Sequence, residues 1–345
     1  MKRIFSAAFM LLFAFSSKAQ TPQNNANKPK LVVGIVVDQM RYDYLNKFWD
    51  KYEEGGFKRI INNGFNFKNN HYNYAPTYTG PGHTSVWTGT SPMNHGIIGN
   101  DWFDKFTGEM VYCAQDDDVA SLGTKTNAGK MSPHRMQATT LSDQNRLHTQ
   151  FRGKTIGVSI KDRGAILPAG HTANAAYWFS GGGDGKFISS TYYMDELPKW
   201  VQKFNSSGKA ASYLKEWNTL LDIETYVESG IDENTFEGGF RGKEKATFPY
   251  DLKKLSKENG NYSIIPQTPY GDDITLDFAL AAIEAEELGQ DEDTDILALS
   301  FSSTDKVGHN FGVNSKEVED TYLRLDKNIS DLLTYLDKNV GEGKY

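Results

Sequence analysis

The chain has 345 residues, 38% of them hydrophobic and 13% aromatic, which is enough for the core of one large α/β domain or of two ordinary ones. Its formal net charge of −7 argues against a nucleic-acid-binding surface, and an anionic substrate would need a strongly positive local site. The single cysteine, Cys113, excludes an internal disulfide.

The first residues are typical of a secretory signal peptide, which we place at residues 1–19. Lys2 and Arg3 precede an apolar run, and small residues up to Ala19 offer a cleavage site before Gln20. Neither this run nor any later stretch is long and apolar enough to span a bilayer. We therefore expect a periplasmic or secreted protein without stable membrane insertion, which starts with a flexible segment at residues 20–30.

The next segment, Leu31–Val37, is an unbroken apolar run and predicts a strand that is buried on both faces of a parallel sheet. Asp38 follows it directly. Open α/β sheets place their ligands at the carboxyl edge of the strands, so this acid is a candidate functional residue. A structural role in a turn is the alternative. Two short helices are predicted after it, at residues 42–51 and 56–63.

Thr79 lies in a tight turn that is rich in Gly and Pro, with Pro81 at a position that suits the first turn of a helix. A hydroxyl at a helix start lies among unpaired N–H groups, where anions and above all phosphate bind. Thr79 is therefore a candidate nucleophile. The commoner explanation for such a residue is an N-cap. Residues 92–102 are predicted as a loop, in which Asn100 caps a turn or donates to an anion.

A helix is predicted over residues 132–148, and the second strand over residues 154–160. Lys161 and Arg163 follow this strand and face the same region as Asp38. Arginine grips phosphate with a fork of donors and lysine supplies a point charge. The alternative is a surface pair of cations with Asp162 as the partner.

A third strand is predicted over residues 175–179. The composition then shifts to Gly, Asn, Ser and aromatic residues, and we interpret residues 181–270 as an inserted cap. Helical spacing returns at 271–288, a buried strand is predicted at 296–301, and a long amphipathic helix at 315–336. Asp305 and His309 follow the last strand, and both side chains are of types that bind zinc.

These features together suit phosphoryl transfer, because an activated hydroxyl, metal ligands and cations would meet at one edge of one sheet. They also carry a resemblance to the alkaline phosphatase superfamily, and most closely to its PafA-type phosphate-irrepressible bacterial enzymes. The motifs that carry it are Val37-Asp38-Gln-Met-Arg, Pro76-Thr-Tyr-Thr79-Gly-Pro-Gly-His-Thr, His95-Gly-Ile-Ile-Gly-Asn100-Asp-Trp, Lys161-Asp-Arg163 and Ser303-Thr-Asp305-Lys-Val-Gly-His309-Asn-Phe-Gly.

The resemblance implies a three-layer α/β/α sandwich over residues 31–345, two Zn²⁺ ions and hydrolysis of phosphate monoesters through a phosphothreonine. Thr79 would match the nucleophile, and Asp38 a ligand of the zinc that activates it. Asp305 and His309 would match ligands of the zinc at the leaving group. Asn100, Lys161 and Arg163 would match the phosphate clamp. We expect a monomer that acts on small-molecule phosphate monoesters.

The chain departs from the family in its metal ligands. Family members carry an Asp-His pair after the next strand and a further histidine much later, and neither is present before Tyr345. Each zinc would keep two identified ligands, with Thr79 counted as one, whereas catalytic zinc normally has three from the protein. We therefore expect the remaining ligands beyond residue 345, a C-terminally incomplete fold, and an inactive fragment when this chain is alone.

Two other functions remain open on the residues alone. A phosphodiesterase or nucleotide pyrophosphatase of the same superfamily differs in substrate charge, so Lys161 and Arg163, which suit a doubly charged monoester, favour the monoesterase. A non-catalytic secreted protein that binds phosphate or metal is the rival from another class. A sulfatase is disfavoured because its nucleophile is a modified Cys or Ser, and Thr79 is neither.

Overall fold

The computed structural model describes residues 28–183 and 185–345 of the chain. The predicted signal peptide and residues 20–27 of the predicted flexible segment lie outside these residues. In the described part, no helix combines the length and the apolar character that a membrane span requires.

The described residues form a mixed central sheet and two short two-stranded sheets. The strands are β1 (Leu31–Val37), β2 (Asp101–Asp104), β3 (Glu109–Tyr112), β4 (Ser121–Leu122), β5 (Thr155–Ser159), β6 (Ala175–Ser180), β7 (Lys186–Ser190), β8 (Glu216–Trp217), β9 (Tyr250–Asp251) and β10 (Asp295–Phe301). The central sheet has the order β1-β10-β5-β6-β7-β4. Strands β1, β10, β5 and β6 are parallel, whereas β7 is antiparallel to both of its neighbours.

The helices were predicted with mixed accuracy. They are α1 (Tyr44–Lys47), α2 (Phe57–Asn63), α3 (Thr79–Thr88), α4 (Pro92–His95), α5 (Leu141–His148), α6 (Asp162–Ala169), α7 (Lys199–Ser206), α8 (Lys209–Ser212), α9 (Leu252–Leu255), α10 (Tyr270–Ala285), α11 (Ser303–Phe311) and α12 (Lys316–Leu336). The four predicted strands and helices α10 and α12 are found within one or a few residues of their expected ends. The helix predicted from residue 132 is wrong in its first half, because it begins at Leu141 after the cap Thr140.

Side chains of β10 show why the fold has three layers. Leu297 and Leu299 join a large hydrophobic cluster with α10 and α12. Ile296 and Ala298 point the other way and pack with Trp87 of α3. Because alternate residues of a strand face opposite sides, both faces of the sheet are covered. The predicted α/β fold is thus present.

The segment predicted as an inserted cap, residues 181–270, contributes to the main body of the fold. Its residues Lys186–Ser190 form β7 of the central sheet, and Phe187 stacks on Phe278 of α10 at a centroid distance of 4.0 Å. Further along, β8 and β9 pair with each other, and Trp217 and Tyr250 are fully buried in the same cluster as the central strands. The core is therefore continuous from the sheet into this segment.

Asp143 is the residue of this fold whose replacement we expect to destabilise it most clearly. It is fully buried, completes a capping box with Thr140 and accepts hydrogen bonds from the backbone N–H and hydroxyl of Thr172 at 2.8 and 2.9 Å. Asp143→Ala should lower the free energy of unfolding by about 3 kcal/mol, because several buried donors lose their partner. Urea unfolding monitored by circular dichroism measures this change.

The control for this variant is Asp117→Ala, which removes an exposed carboxylate of a loop and should change stability by less than about 0.5 kcal/mol. Burial acts to raise the pKa of Asp143, but hydrogen bonds from His171, Thr140 and Thr172 outweigh it and lower the pKa to about 2. The stability that ionised Asp143 contributes is therefore present above the pKa that this carboxyl has in the unfolded chain. It is lost as the pH falls from about 4 to about 2. Equal acid sensitivity of Asp143→Ala and the parent would contradict the assignment.

Candidate active site

Three adjacent parallel strands end at the same edge of the sheet and bring three predicted residues together. Asp38 follows β1, Lys161 follows β5, and β10 between them leads into α11, which carries Asp305. The backbone N–H of Asp38 bonds to the carbonyl of Phe301, the last residue of β10, at 2.9 Å. The pairing of the strands thus fixes the distance between Asp38 and the start of α11.

The Thr79 hydroxyl points at Asp38 and does not cap its helix. Thr79 is the first residue of α3, the N-cap position is Tyr78, and no side chain caps this end. The Oγ1 of Thr79 donates to Asp38, with distances of 3.2 Å to Oδ2 and 3.5 Å to Oδ1. The N-cap interpretation of Thr79 is therefore wrong, and its oxygen lies at the positive end of the helix.

Lys161 joins the nucleophile candidate to both acids. Its Nζ lies 2.6 Å from Oδ2 of Asp38, 2.5 Å from Oδ2 of Asp305 and 3.3 Å from Oγ1 of Thr79. The ammonium is buried, so its charge is not screened by bulk water. Because one ammonium touches all three groups, the hydroxyl and the two carboxylates surround a single point. The predicted convergence on one rim is present.

Two hydroxyl groups hold Asp38 in place. Ser302 donates to Oδ2 of Asp38 at 3.2 Å, and Thr304 donates to its backbone carbonyl at 2.6 Å. Burial opposes ionisation of this carboxyl, but the positive charge of Lys161 outweighs it and lowers the pKa of Asp38 below its ordinary value. Asp38 is therefore an anion at neutral pH.

His83 connects the backbone of Thr79 to β10, and this contact was not predicted from the sequence. Its Nδ1 lies 2.8 Å from the backbone oxygen of Thr79, and its Nε2 lies 2.8 Å from Oγ of Ser300. Ser300 lies 3.1 Å from Ser302, which reaches Asp38. The run of hydroxyl residues at the end of β10 is visible in the sequence, and it was the available signal for this hydrogen-bond path. The spacing of His83 four residues after Thr79 gave no indication of its partner in β10.

Asn100 and Arg163 lie near this centre, and neither makes a hydrogen bond to Thr79 among the described residues. Asn100 accepts a hydrogen bond from the N–H of Gly80 through Oδ1 at 2.8 Å, so it braces the first turn of α3. Arg163 donates through Nη1 to the hydroxyl of Tyr112 at 2.8 Å, and that hydroxyl lies 2.5 Å from Oδ1 of Asp162. Asn100 precedes β2 and Tyr112 ends β3, so the open end of this hairpin carries one predicted clamp residue, Asn100, and contacts another, Arg163.

The pair Asp305 and His309 is formed on one face of α11. The Nε2 of His309 lies 3.2 Å from Oδ1 of Asp305, one helical turn away. Carboxylate, imidazole and hydroxyl donors are types that zinc accepts. Among residues 28–183 and 185–345, however, no group of three or more His, Cys, Asp or Glu side chains is arranged to hold a metal ion. These residues therefore supply donor types that zinc accepts without forming a complete metal site among the described residues.

An open cavity of about 800 Å³ adjoins the site. Its lining includes polar and apolar residues of the 178–181 and 263–267 segments and the side chains of Lys161, Asp162, Arg163, Lys306, His309 and Asn310. Its volume lies in the range that holds a drug-sized molecule. The cavity therefore has room for an organic group next to a bound phosphate.

The chain is similar to known proteins in family, sequence and fold. The family described as type I phosphodiesterase / nucleotide pyrophosphatase matches residues 32–345. A protein of Myroides odoratus named calcium-transporting ATPase is 51% identical over 343 residues, which are 99% of this chain and 62% of that protein. The alkaline phosphatase PhoV of Synechococcus elongatus is 49% identical over 353 residues, with 99% of this chain and 64% of that protein covered.

The same similarity extends to a solved structure. The crystal structure of wild-type alkaline phosphatase PafA matches with a TM-score of 0.89 and 51% sequence identity, and covers 92% of this chain and 61% of that chain. The chain thus spans somewhat over half of the length of the relatives that it matches. The mixed sheet with its covering helices is shared with that structure.

Proposed function

Because this chain belongs to the type I phosphodiesterase / nucleotide pyrophosphatase family within the alkaline phosphatase superfamily, we propose that it carries most of the active site of a secreted alkaline phosphatase. In this proposal the enzyme hydrolyses phosphate monoesters through a phosphothreonine. The observation that carries it is the contact of one buried ammonium, Lys161, with Thr79, Asp38 and Asp305. Similarity of about half of all residues to two alkaline phosphatases supports the same reaction.

The proposed reaction starts at the oxygen of Thr79. This oxygen would attack phosphorus and the bond to the ester oxygen would break, so that the phosphoryl group moves to Thr79 and the alcohol leaves. Water would then release phosphate and restore the hydroxyl. Asp38 orients the threonine oxygen through the hydrogen bond already described, and the start of α3 supplies a positive field for the incoming anion.

The phosphoryl oxygens would be held by the clamp predicted from the sequence. Lys161 and Arg163 line the cavity beside Thr79 and would stabilise the charge that is spread over the non-bridging oxygens. Tyr112 and Asp162 fix the guanidinium of Arg163, so less rotamer freedom is lost on binding. Asn100 would complete the clamp through its amide, next to the N–H of Gly80 that it already contacts.

Two Zn²⁺ ions are part of the proposal. Asp38 with Thr79, and Asp305 with His309, would hold them, and the ligands still needed would come from the length of the relatives that this chain does not span. Bound zinc supplies positive charge that lowers the pKa of a coordinated oxygen. The predicted signal peptide supports export to the periplasm or out of the cell.

Metal removal tests the cofactor. Dialysis of the longest natural form of the protein against a chelator should lower its rate on p-nitrophenyl phosphate by at least about 100-fold, because the charge at the nucleophile is lost. Metal content measured in parallel should fall from two zinc ions per chain, and added Zn²⁺ should restore both values. A chelated protein that is free of metal and keeps its full rate would rule out the zinc centre.

The alternative is a phosphodiesterase or nucleotide pyrophosphatase, the activities in the description of the matching family. The same nucleophile and donors would serve both reactions. The two functions differ in the charge of the substrate, since a monoester carries one more negative charge than a diester. The two clamp cations, Lys161 and Arg163, favour the monoesterase.

A further inference from the structure

Lys306 lies on the cavity-facing side of α11 and has no part in the site as described so far. It follows Asp305 directly, and together with His309 and Asn310 it lines the cavity. Positions 306, 309 and 310 are three and four residues apart and share one face of a helix. The face of α11 that presents His309 to the cavity thus also presents a lysine there.

The charge of Lys306 is unpaired, unlike that of the two clamp cations. Lys161 lies between Asp38 and Asp305, and Arg163 has Asp162 within 3.7 Å. Lys306 is an exposed residue, and within the described part of the chain its Nζ makes neither an ion pair nor a hydrogen bond. Lys161, Arg163 and Lys306 all line the same cavity, so the three cations are neighbours.

The cavity beside Lys306 has more positive than negative groups, with Lys161, Arg163 and Lys306 against the carboxylate of Asp162. A cleft with an excess of one sign of charge concentrates ions of the opposite sign. The phosphoryl group has its own partners in Lys161 and Arg163, whereas the rest of the 800 Å³ cavity would hold the leaving group. An anion on that leaving group is the partner that Lys306 lacks.

We propose that Lys306 is a specificity-determining residue that binds a second anionic group on the substrate. The substrate class is then a phosphate monoester whose leaving group carries a carboxylate or a further phosphate. The inference rests on the proposed phosphatase function and adds the charge of the leaving group to it. The attraction is that of a partly exposed ion pair, so it tunes preference among esters.

Two esters of equal shape test this inference in the longest natural form of the protein: 3-carboxyphenyl phosphate and 3-carbamoylphenyl phosphate. The measured quantity is the ratio of their kcat/KM values, carboxylate over amide. Lys306→Gln should lower this ratio about fivefold, the size expected for one partly exposed ion pair. In the parent protein, about 0.5 M salt should also lower the ratio, because salt screens exposed charges.

Lys257→Gln is the matched control, since Lys257 is exposed, makes no ion pair among the described residues and does not line the cavity. It should leave the ratio unchanged. If the parent protein hydrolyses neither ester, the proposed function itself fails. If both esters are hydrolysed and Lys306→Gln leaves their ratio as it was, Lys306 does not bind the leaving group and the phosphatase assignment stands.

Discussion

Thr79→Ala is expected to lower kcat/KM for p-nitrophenyl phosphate by at least about 10³-fold in the longest natural form of the protein. The alanine keeps the backbone of α3 and removes the one oxygen that is in contact with both Asp38 and Lys161. Without that oxygen no phosphothreonine forms, and only binding and clamp electrostatics remain. Steady-state rates measure the loss, and mass spectrometry after acid quenching measures the phosphorylated chain.

Two further variants make the result specific. Thr79→Ser keeps a hydroxyl at the same place and should keep the phosphorylated chain detectable. Thr88→Ala removes a hydroxyl from the same helix, where it donates to the carbonyl of Thr84 at 2.7 Å, and should leave the rate within about twofold. Near-normal turnover in Thr79→Ala would remove Thr79 from the nucleophile role and leave the anion-binding helix start as its only function.

The convergence of Asp38, Lys161 and Asp305 could be predicted because it follows from strand polarity. Each residue comes shortly after a predicted strand of a parallel sheet, and parallel strands end at one edge. Asp305 and His309 are four residues apart, and this spacing puts them on one face of a helix, again by a local pattern. These inferences need only the order of residues along single elements.

Other parts of the site depend on contacts between elements that are far apart in sequence. The path from His83 to Asp38 runs through Ser300 and Ser302, and 217 residues separate His83 from Ser300. No local pattern links these residues. The hydrogen bond from Arg163 to Tyr112 likewise depends on how the hairpin of β2 and β3 packs. Both features follow from tertiary packing, which single-sequence periodicity does not report.

Local competition explains the error in the helix that was predicted from residue 132. Pro133 after Ser132 resembles a capped start, but the true start has a stronger signal in Thr140 with Asp143 at the third helical position. Asp143 also accepts from the Thr172 loop, so tertiary contacts reinforce the later start. Where two starts compete, the one with a buried partner forms.

The double variant Lys161→Ala/Arg163→Ala is expected to change substrate preference more than any other change at the site. A monoester dianion has one more negative charge than a diester, and both cations line the cavity next to Thr79. Each hydrogen bond to a charged group contributes about 1.5–3 kcal/mol. We therefore expect kcat/KM for p-nitrophenyl phosphate to fall about 10³-fold, and that for methyl p-nitrophenyl phosphate to fall no more than about tenfold.

Lys161 also neutralises two carboxylates, and this role has to be separated from its effect on the charge of the substrate. Loss of Lys161 leaves Asp38 and Asp305 as neighbouring anions without their shared cation. This change in the charge of the site affects the hydrolysis of both substrates alike. Arg163→Ala keeps the contacts of Lys161 with Asp38 and Asp305, and it should still shift the preference for the monoester over the diester about tenfold. Lys154→Ala, before the opposite end of β5, should leave it unchanged, because its Nζ contacts the carbonyl of Glu286 away from the cavity. If the ratio of the kcat/KM values for monoester and diester were unaltered in both clamp variants, the diesterase would be favoured. The two cations would then not discriminate between substrates by the charge of the transferred group.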